Sequence, residues 1–420
     1  MVRIFCFLVL LFNVAYGQEL KTITPEQFIA ENPSPERKII IDHLIHQFDS
    51  KREAGVTQDQ LDKLWANQEV RDAYMMARFQ IIDQKVYAQS YYLAHYYFPT
   101  LLQYFQTLAQ KYKINDVDFI IYMREEIPMK NDLGKQTMGV PAFIMFQDQN
   151  SIYEMDKLIF PDAFFIKENW SSRWRDLTAR IEKASLDNPW DNKINKIFWR
   201  GVTTGDFFDY TLENFEKLPR LAISILSKLY PDSIDAKFSS YTLQMTDKNL
   251  KKLCELLFGQ TPANVSMEDH LKYKYLLSLD GNAATGTRVP WIMLSNSVLV
   301  KQDSQKIQWF YSALKPYVHY VPLEHRLLDV FQQIDWMKAH DQEVKQISLN
   351  GNNFVKNNLM PDHIDQHIVL LLNEYSSIQK DIKIIPTLTK AEDVVSIPSV
   401  LDMYLYKIKR YLVARINTWF

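Results

Sequence analysis

The spacing of apolar residues divides the chain into a helical first part and a mixed later part. From Thr24 to about Tyr112, apolar side chains recur every three or four positions, which predicts a series of helices. Two short apolar runs follow, at Phe119–Met123 and Ala142–Phe146, and each ends in polar residues. Buried strands that release polar side chains at their carboxyl ends are typical of ligand-binding α/β sheets. The pattern therefore predicts an α/β protein with a helical N-terminal extension.

A second α/β region begins after the break at Asn188-Pro189 and contains the most informative segment of the chain. An apolar strand at Tyr275–Leu279 runs into a turn at Asp280-Gly281, and a helix starts at Arg288. Small residues fill the connection between them, namely Ala283, Ala284, Thr285, Gly286 and Thr287. Such a loop lets the backbone approach an anion and points free N–H groups and a helix N-terminus at it. The same pattern also fits an ordinary strand–helix–strand crossover that binds nothing.

Composition narrows the class of protein. The chain has 420 residues, of which 47% are apolar, and this is enough for two packed domains. A net charge of −2 gives no basic surface of the kind that nucleic-acid binding requires. The sequence contains no HExxH, paired CxxC or GxSxG motif, so zinc protease and serine hydrolase chemistry have no support. We interpret Asp116-Val117-Asp118 as a solvated turn rather than a metal-binding pair, because it precedes its strand.

The N-terminus has the form of a secretory signal peptide. Arg3 precedes a short apolar run, and the tripeptide Ala15-Tyr16-Gly17 predicts cleavage before Gln18. An uncleaved membrane anchor or a buried N-terminal helix would also fit residues 1–17. No other stretch is apolar over the roughly 20 residues that a membrane span needs. Removal of the signal peptide would leave Cys254 as the one cysteine, which excludes an internal disulfide.

Five segments resemble signature motifs of the CAP10-like glycosyltransferases, a family that includes protein O-glucosyltransferases and lipopolysaccharide-modifying proteins. They are NPWDNKINKIFWRGVTTG from Asn188, DHLKYKYLLSLDG from Asp269, SVLVKQDS from Ser297, WFYSALKPYVHYVP from Trp309 and GNNFVKNNL from Gly351. The resemblance extends over roughly residues 118–375. It implies a GT-B-type fold, in which two Rossmann-like domains face a cleft.

The resemblance and the pattern of elements together divide the chain into five parts. Residues 1–17 are the signal peptide, and residues 18–112 are the helical N-terminal region. Residues 113–187 form an acceptor-side α/β domain, and residues 188–385 form a nucleotide-sugar-binding α/β domain. Residues 386–420 end in a helix of the kind that often packs back on the N-terminal half in this architecture.

The resemblance also implies a binding site for a UDP-sugar donor. Arg288 takes the position of the family's phosphate-contacting arginine, next to the backbone of Ala283–Thr287, and Arg220 matches an arginine that lines the donor site in relatives. Asp280 and Gly281 would contact the sugar or the ribose, although an aspartate here can equally accept N–H bonds of its turn. Enzymes of this architecture neutralise the diphosphate with arginine and helix N-termini. We therefore expect no metal and no other cofactor.

The same resemblance suggests the general base. In the segment IYMREEIP, Arg124 matches a strand-end Arg-Asp pair of the family, which puts Glu125 in the place of the aspartate that is the family's base. Glutamate moves the carboxylate by about one methylene, a displacement to which catalysis is sensitive. Glu126 is an alternative base, and a catalytically inactive site is a further alternative. A later strand also ends in polar residues that could line the cleft, namely Lys301, Asp303 and Ser304.

These features predict an inverting, metal-independent glycosyltransferase that moves a glucose-like or xylose-like sugar from UDP to a hydroxyl group. The acceptor would be a protein, a glycan or lipopolysaccharide. Two other classes stay open: an inactive glycan- or nucleotide-sugar-binding protein on the same fold, and a secreted protein whose helical region binds a partner. The signal peptide predicts the endoplasmic reticulum lumen, a periplasm or secretion, with a membrane-anchored form as the alternative. The sequence leaves the acceptor, the particular sugar and the oligomeric state open.

Overall fold

The computed structural model describes most of the chain. The described ranges are 19–31, 33–90, 97–124, 131–137, 139–151, 157–166, 174–205, 211, 214, 217–241, 247–259 and 265–390. The predicted signal peptide, the candidate bases Glu125 and Glu126, and the predicted C-terminal helix lie outside these ranges. Within them, every helix is too short or too polar to span a membrane.

The first half of the described chain combines helices with short and long strands. Its helices are α1 (Pro25–Glu31), α2 (Pro35–His46), α3 (Asp49–Arg52), α4 (Gln58–Ala66), α5 (Gln68–Tyr74), α6 (Tyr97–Lys111), α7 (Asn131–Thr137), α8 (Ala163–Ile166) and α9 (Trp174–Asp187). Its strands are β1 (Val56–Thr57), β2 (Met76–Ile82), β3 (Lys85–Ser90), β4 (Val117–Tyr122), β5 (Phe143–Ile144), β6 (Gln147–Asp148) and β7 (Leu158–Ile159).

The second half alternates strands and helices. Its strands are β8 (Ile194–Val202), β9 (Ile234–Ser240), β10 (Tyr273–Ser278), β11 (Val298–Gln302), β12 (Lys306–Ile307), β13 (Val321–Leu323), β14 (Gln379–Lys380) and β15 (Thr389–Lys390). Its helices are α10 (Pro219–Leu229), α11 (Lys248–Phe258), α12 (Met267–His270), α13 (Arg288–Leu294), α14 (Val330–Ala339), α15 (Asp341–Asn358) and α16 (Pro361–Ser377).

The prediction of a helical region up to Tyr112 is wrong for β2 and β3. These strands form a hairpin in which Ile82 lies opposite Lys85, and the two turn residues Asp83 and Gln84 have φ of 50° and 62°. Two left-handed residues give the tight turn whose twist suits a hairpin. β2 is buried on both faces, so its sequence lacks the alternation of a half-exposed strand. The turn also lacks the glycine that usually marks it.

The hairpin belongs to a six-stranded mixed sheet with the order β15-β3-β2-β4-β5-β7. β4, β5 and β7 are parallel, so their carboxyl ends meet at one edge, where Arg124 follows β4. The predicted strands at Phe119–Met123 and Ala142–Phe146 correspond to β4 and to the shorter β5. β14 and β15 pair with β1 and β3, so the chain returns from the second half to the first.

Asp118 is a buried residue of this sheet and not part of a solvated turn. It lies inside β4 with 0% exposure, and Arg78 donates to its two oxygens from Nε at 2.9 Å and from Nη2 at 2.7 Å. Gln58 and Gln80 donate to Oδ2 at 2.8 and 3.0 Å. The prediction of a solvated turn is therefore wrong for Asp118, whereas Asp116 is exposed.

We expect Asp118→Asn to lower the free energy of unfolding by about 3–5 kcal/mol, because it removes the buried one of the two carboxylates that pair with Arg78 and leaves the half-exposed Asp62, at 2.7 Å, as its remaining counter-charge. The measurement is the urea midpoint at constant slope. Asp116→Asn is the control, since it changes an exposed aspartate two residues away and should shift stability by less than about 0.5 kcal/mol. Equal midpoints for the two variants would contradict a structural role for the Arg78–Asp118 pair.

The second half contains a five-stranded parallel sheet with the order β13-β11-β10-β8-β9. Counted along the chain and read from the β9 edge, this is the doubly wound order 2-1-3-4-5. The direction of winding reverses between β8 and β10. Ligands of such sheets bind at the carboxyl ends of the two strands that flank this switch point, so the topology places the candidate site at the ends of β8 and β10.

Helices cover both faces of the parallel sheet, and alternate residues of its strands therefore pack into two different apolar clusters. Phe198 and Leu276 pack with residues of α13, in a cluster that continues through the helices and sheet of the first half. Ile197 and Leu277 pack with residues of α10, α11 and α14. One apolar core is therefore shared by the two halves, and the other belongs to the parallel sheet alone.

Two buried histidines and one partly buried histidine predict that stability falls below neutral pH. Desolvation lowers the pKa of His270 and His363 from 6.5 to about 4, and that of His367 to about 3. Between about pH 6.5 and 4 these histidines bind protons in the unfolded chain but stay neutral in the folded chain. Each histidine therefore lowers the free energy of unfolding by up to about 1.4 kcal/mol per pH unit as the pH falls. We expect the urea midpoint to fall between about pH 7 and 5. An unchanged midpoint would mean that these rings are not held neutral by the fold.

Candidate functional site

The switch point of the parallel sheet is held together by one arginine. Arg220, in the first turn of α10, donates from Nη1 to the Val202 carbonyl at 2.8 Å and to the Thr204 hydroxyl at 2.6 Å. On the other side it donates from Nη2 to the Leu279 carbonyl at 2.9 Å and from Nε to the Asp280 carbonyl at 3.0 Å. Arg220 therefore ties the end of β8 to the end of β10 and brings a positive charge to the site.

Gly281 is required by this close approach. A Cβ atom at this position would lie 2.9 Å from the Thr204 hydroxyl oxygen and 3.0 Å from Nη2 of Arg220. Real Cβ atoms almost never show contacts this short, so any other residue would displace the arginine or the turn. The predicted role of Gly281 as a turn residue at the strand end thus has a steric cause.

The loop after Gly281 presents unpaired backbone donors. In the continuously described range 265–390, the N–H groups of Ala283, Ala284, Thr285 and Thr287 donate to no other group of the described chain. The loop is closed by two tight bonds, from the Gly286 N–H to the Ala284 carbonyl at 2.8 Å and from the Arg288 N–H to the Thr285 carbonyl at 2.9 Å. Gly286 has φ of 43°, a conformation that glycine adopts without strain. Unpaired N–H groups in a small-residue loop are typical of anion sites.

Arg288 adds a positive charge at the end of the same loop, and no described residue pairs with it. It begins α13, as predicted, and is partly buried. Its guanidinium makes no hydrogen bond or ion pair with any described residue, and its charge helps to lower the pKa of His270. Desolvation lowers its pKa to about 10, so it stays charged at neutral pH. A desolvated cation without a counter-ion, beside unpaired N–H groups, is costly unless an anion binds there.

Asp280 lies among cations at the strand end. Its carboxylate accepts a hydrogen bond from the Ser304 hydroxyl, and its N–H donates to Oε1 of Gln302 at 3.0 Å. Burial raises the pKa of Asp280, and the charges of Lys301, Lys306 and Arg220 oppose that rise. The alternative in which its side chain only accepts N–H bonds of its own turn is not what the described chain shows, because the side-chain partner of Asp280 there is the Ser304 hydroxyl.

Arg200 has a structural position rather than a place in the loop. Its Nη1 donates to the carbonyls of Trp199 and Asp235 at 2.8 and 2.9 Å, and its Nη2 lies 2.8 Å from Oδ1 of Asp235. The guanidinium carbon also lies 4.2 Å from the centre of the Phe198 ring. Arg200 therefore fastens β8 to β9 on the outer side of the sheet.

A short strap, residues 304–311, runs along the loop, and of its residues only Ser304 was expected near the site from the sequence. Besides the Ser304–Asp280 contact, Nζ of Lys306 donates to the Gly281 carbonyl at 2.7 Å, and Nε2 of Gln308 donates to the Gly286 carbonyl at 2.8 Å. Every second residue thus faces the loop, as expected for an extended segment. The alternation of polar residues at 304, 306 and 308 was a signal that could have found it.

The strap also contacts the first half of the molecule. Within it, β12 pairs antiparallel with β6, with Lys306 opposite Asp148 and Ile307 opposite Gln147. β6 follows closely on β5, whose carboxyl end lies at the same sheet edge as that of β4. The strap therefore lies between the loop of Arg288 and the first-half sheet.

On that first-half sheet, Arg124 is the last described residue before the candidate bases. It is partly buried, and its Nη1 donates to the Ala73 carbonyl at 3.0 Å. Glu125 and Glu126 follow it directly in the sequence but lie outside the described residues. In the described ranges, no group of three or more His, Cys, Asp or Glu side chains is arranged to hold a metal ion.

A doubly wound sheet with a small-residue loop of unpaired N–H groups at its switch point is typical of α/β proteins that bind phosphorylated ligands such as nucleotides. The sequence profile described as glycosyl transferase family 90 matches residues 41–400. The chain belongs to this family.

Curated relatives agree with that assignment. The chain is 33% identical over 274 residues to protein O-glucosyltransferase 2 of Danio rerio, covering 65% of this chain and 50% of that protein. It is 31% identical over 276 residues to protein O-glucosyltransferase 3 of Homo sapiens, covering 65% and 49%. It is 29% identical over 204 residues to protein O-glucosyltransferase 1 of Homo sapiens, covering 49% and 47%. The chain thus spans about half the length of these relatives.

Proposed function

We propose that this protein is an inverting, metal-independent glycosyltransferase that moves a sugar from a UDP-sugar to a hydroxyl group of a protein. One observation carries the proposal: Arg288, whose guanidinium has no hydrogen-bond or ion-pair partner among the described residues, directly follows a loop at the switch point of the sheet in which the N–H groups of Ala283, Ala284, Thr285 and Thr287 are unpaired within the same part of the chain. This combination suits the diphosphate of a nucleotide sugar, since the arginine fork and the N–H groups both donate to phosphate oxygens.

In this proposal, some residues of the site bind the donor and others position the backbone around it. Arg288 and the loop N–H groups would stabilise the negative charge that develops on UDP as it leaves. Arg220 would act near the donor through its charge and by fixing the backbone of Asp280 and Gly281. In this scheme, Glu125, which follows Arg124 in the sequence, removes the proton from the acceptor hydroxyl. The two sheets would then be the two halves of a GT-B-type architecture.

The protein acceptor is supported by the names of the relatives, which are protein O-glucosyltransferases. Glucose is accordingly the first sugar to test, with xylose as the second. We also propose that residues 1–17 direct the chain into the secretory pathway.

The test is a thermal-shift panel of the protein from Gln18 onward against nucleotides and nucleotide sugars, with and without a chelator. A ligand at about 100 times its Kd should stabilise the protein by about 2.7 kcal/mol. We expect UDP and one UDP-sugar to raise the Tm to the same extent when EDTA is present. Stabilisation that disappears with EDTA would contradict metal independence, and the absence of any response to uridine nucleotides would contradict the donor assignment.

A second candidate is a nucleotide-sugar-binding protein that has lost catalysis. It is favoured by one observation, the glutamate at position 125 where the family pattern has aspartate. In that case UDP-sugars would bind, and the Glu125→Asp variant would gain a transfer activity that the wild-type protein lacks. Transfer by the wild-type protein would exclude this candidate.

A further inference from the structure

Two buried polar atoms next to the Arg288 loop have no partner in the described chain. They are Oε1 of Gln308 and the hydroxyl oxygen of Tyr311, both on the strap. Gln308 is 1% exposed, and its amide nitrogen is already used by the Gly286 carbonyl. A buried polar atom without a hydrogen bond costs free energy that an incoming ligand can recover.

The surroundings of Tyr311 are polar as well as buried. Burial and then the charge of Asp280 raise the pKa of its hydroxyl well above 10, and the neighbouring side chains of Thr285 and Gln308, which approach the hydroxyl without the geometry of a full hydrogen bond, oppose that rise. The Lys301 ammonium lies 4.8 Å from the centre of its ring. The hydroxyl of Tyr311 is thus close to the loop, to the amide of Gln308 and to the carboxylate of Asp280.

The chemistry of these groups favours hydroxyl groups over phosphate as their ligand. The Gln308 oxygen and the Asp280 carboxylate only accept hydrogen bonds, and the Tyr311 hydroxyl can accept or donate. Acceptors repel phosphate oxygens but suit sugar hydroxyls, which donate. A UDP-sugar has two sugars, the ribose and the transferred sugar, and the position of the strap favours the transferred sugar as the ligand. The transferred sugar has to lie between the diphosphate and the acceptor. The strap lies between the Arg288 loop and β6 of the first half.

On these grounds, and resting on the proposed function, we propose that Tyr311 and Gln308 bind hydroxyl groups of the transferred sugar and help to determine which sugar the enzyme accepts. Tyr311 bonds one ring hydroxyl and the Gln308 oxygen accepts from a neighbouring one. The nucleotide part of the donor is held by other residues.

The experiment measures Kd by calorimetry for UDP and for UDP-glucose with the wild-type protein, Tyr311→Phe and Tyr320→Phe. Tyr320 is the matched control, because its ring is also close to Lys301, at 5.8 Å. We expect Tyr311→Phe to weaken UDP-glucose on the order of tenfold and to leave UDP within about twofold. Tyr320→Phe should leave both ligands unchanged.

A series of UDP-glucose analogues, each lacking one hydroxyl, makes the test independent of the stability of the variant. For one of these analogues, the Kd for the wild-type protein should be higher than that of UDP-glucose. For the Tyr311→Phe variant, the same analogue and UDP-glucose should have equal Kd values. Equal weakening of UDP and UDP-glucose would overturn the inference in favour of a ribose or phosphate contact. Unchanged binding of both would overturn it in favour of an internal hydroxyl. A wild-type protein that binds neither UDP nor UDP-glucose would instead refute the proposed function itself.

Discussion

Replacing Glu125 with glutamine is expected to lower the rate of sugar transfer by about 10²–10⁴-fold, because a positioned general base contributes that much to proton transfer. Glutamine has nearly the same shape as glutamate but cannot accept the proton of the acceptor hydroxyl. The Kd of the UDP-sugar should stay within about twofold, since we assign no donor contact to this carboxylate. The measurement is turnover at saturating donor together with a calorimetric Kd.

Glu126→Gln is the matched control for this variant, because it makes the same chemical change one residue further along. We expect it to retain most of the activity. If Glu126→Gln loses transfer and Glu125→Gln keeps it, the base is the second glutamate and the alignment with the family's Arg-Asp pair is shifted by one residue. Full activity in both variants would remove this segment from the proton transfer.

The second large effect is expected for Arg288→Ala, which should weaken UDP binding by roughly 10²-fold. The guanidinium is the charged group that we assign to the diphosphate, and charge-assisted bonds to phosphate are about twice as strong as neutral ones. Arg288→Lys should recover only part of the affinity, since an ammonium group lacks the bidentate fork. The measurement is the Kd of UDP beside that of uridine, which lacks the phosphates.

The folded state should tolerate loss of Arg288 well, which separates this prediction from a general loss of structure. Arg288 has no ion-pair partner among the described residues, so its removal relieves a desolvated charge. Arg326→Ala, at an exposed position, is the control for the loss of one positive charge. If Arg288→Ala binds UDP as tightly as the wild-type protein does, the loop is a crossover and not the diphosphate site.

The sequence predicted the second half of the molecule better than the first, for physical reasons. The segment from Tyr275 to Arg288 is a strand, a small-residue loop and a helix start, and each of these has a local signal. The hairpin of β2 and β3 has none, because β2 is buried on both faces and its turn is Asp-Gln. The predicted helical region, which begins upstream of the hairpin, therefore wrongly included it.

Residues whose roles depend on distant partners were also beyond the reach of local patterns. The local sequence around Asp118 is typical of a polar turn. Its partner in a buried ion pair, Arg78, lies 40 residues earlier in the chain, so no local pattern could indicate the pair. The four contacts of Arg220 join backbone from two strands that are far apart in the sequence. The candidate donor-site residues could be listed from the resemblance, but their division into binding and positioning groups required the structure.

The most direct test of the central claim is proton NMR of the wild-type protein with UDP-glucose in EDTA, with water or a mixture of folded secreted proteins as acceptor. The α-linked glucose of the donor should be released with UDP and appear first as the β anomer, free or attached to protein. Glu125→Gln, measured beside it, should release neither product. An α product, a requirement for added metal ion, or no UDP release above that of buffer would contradict an inverting, metal-independent glycosyltransferase.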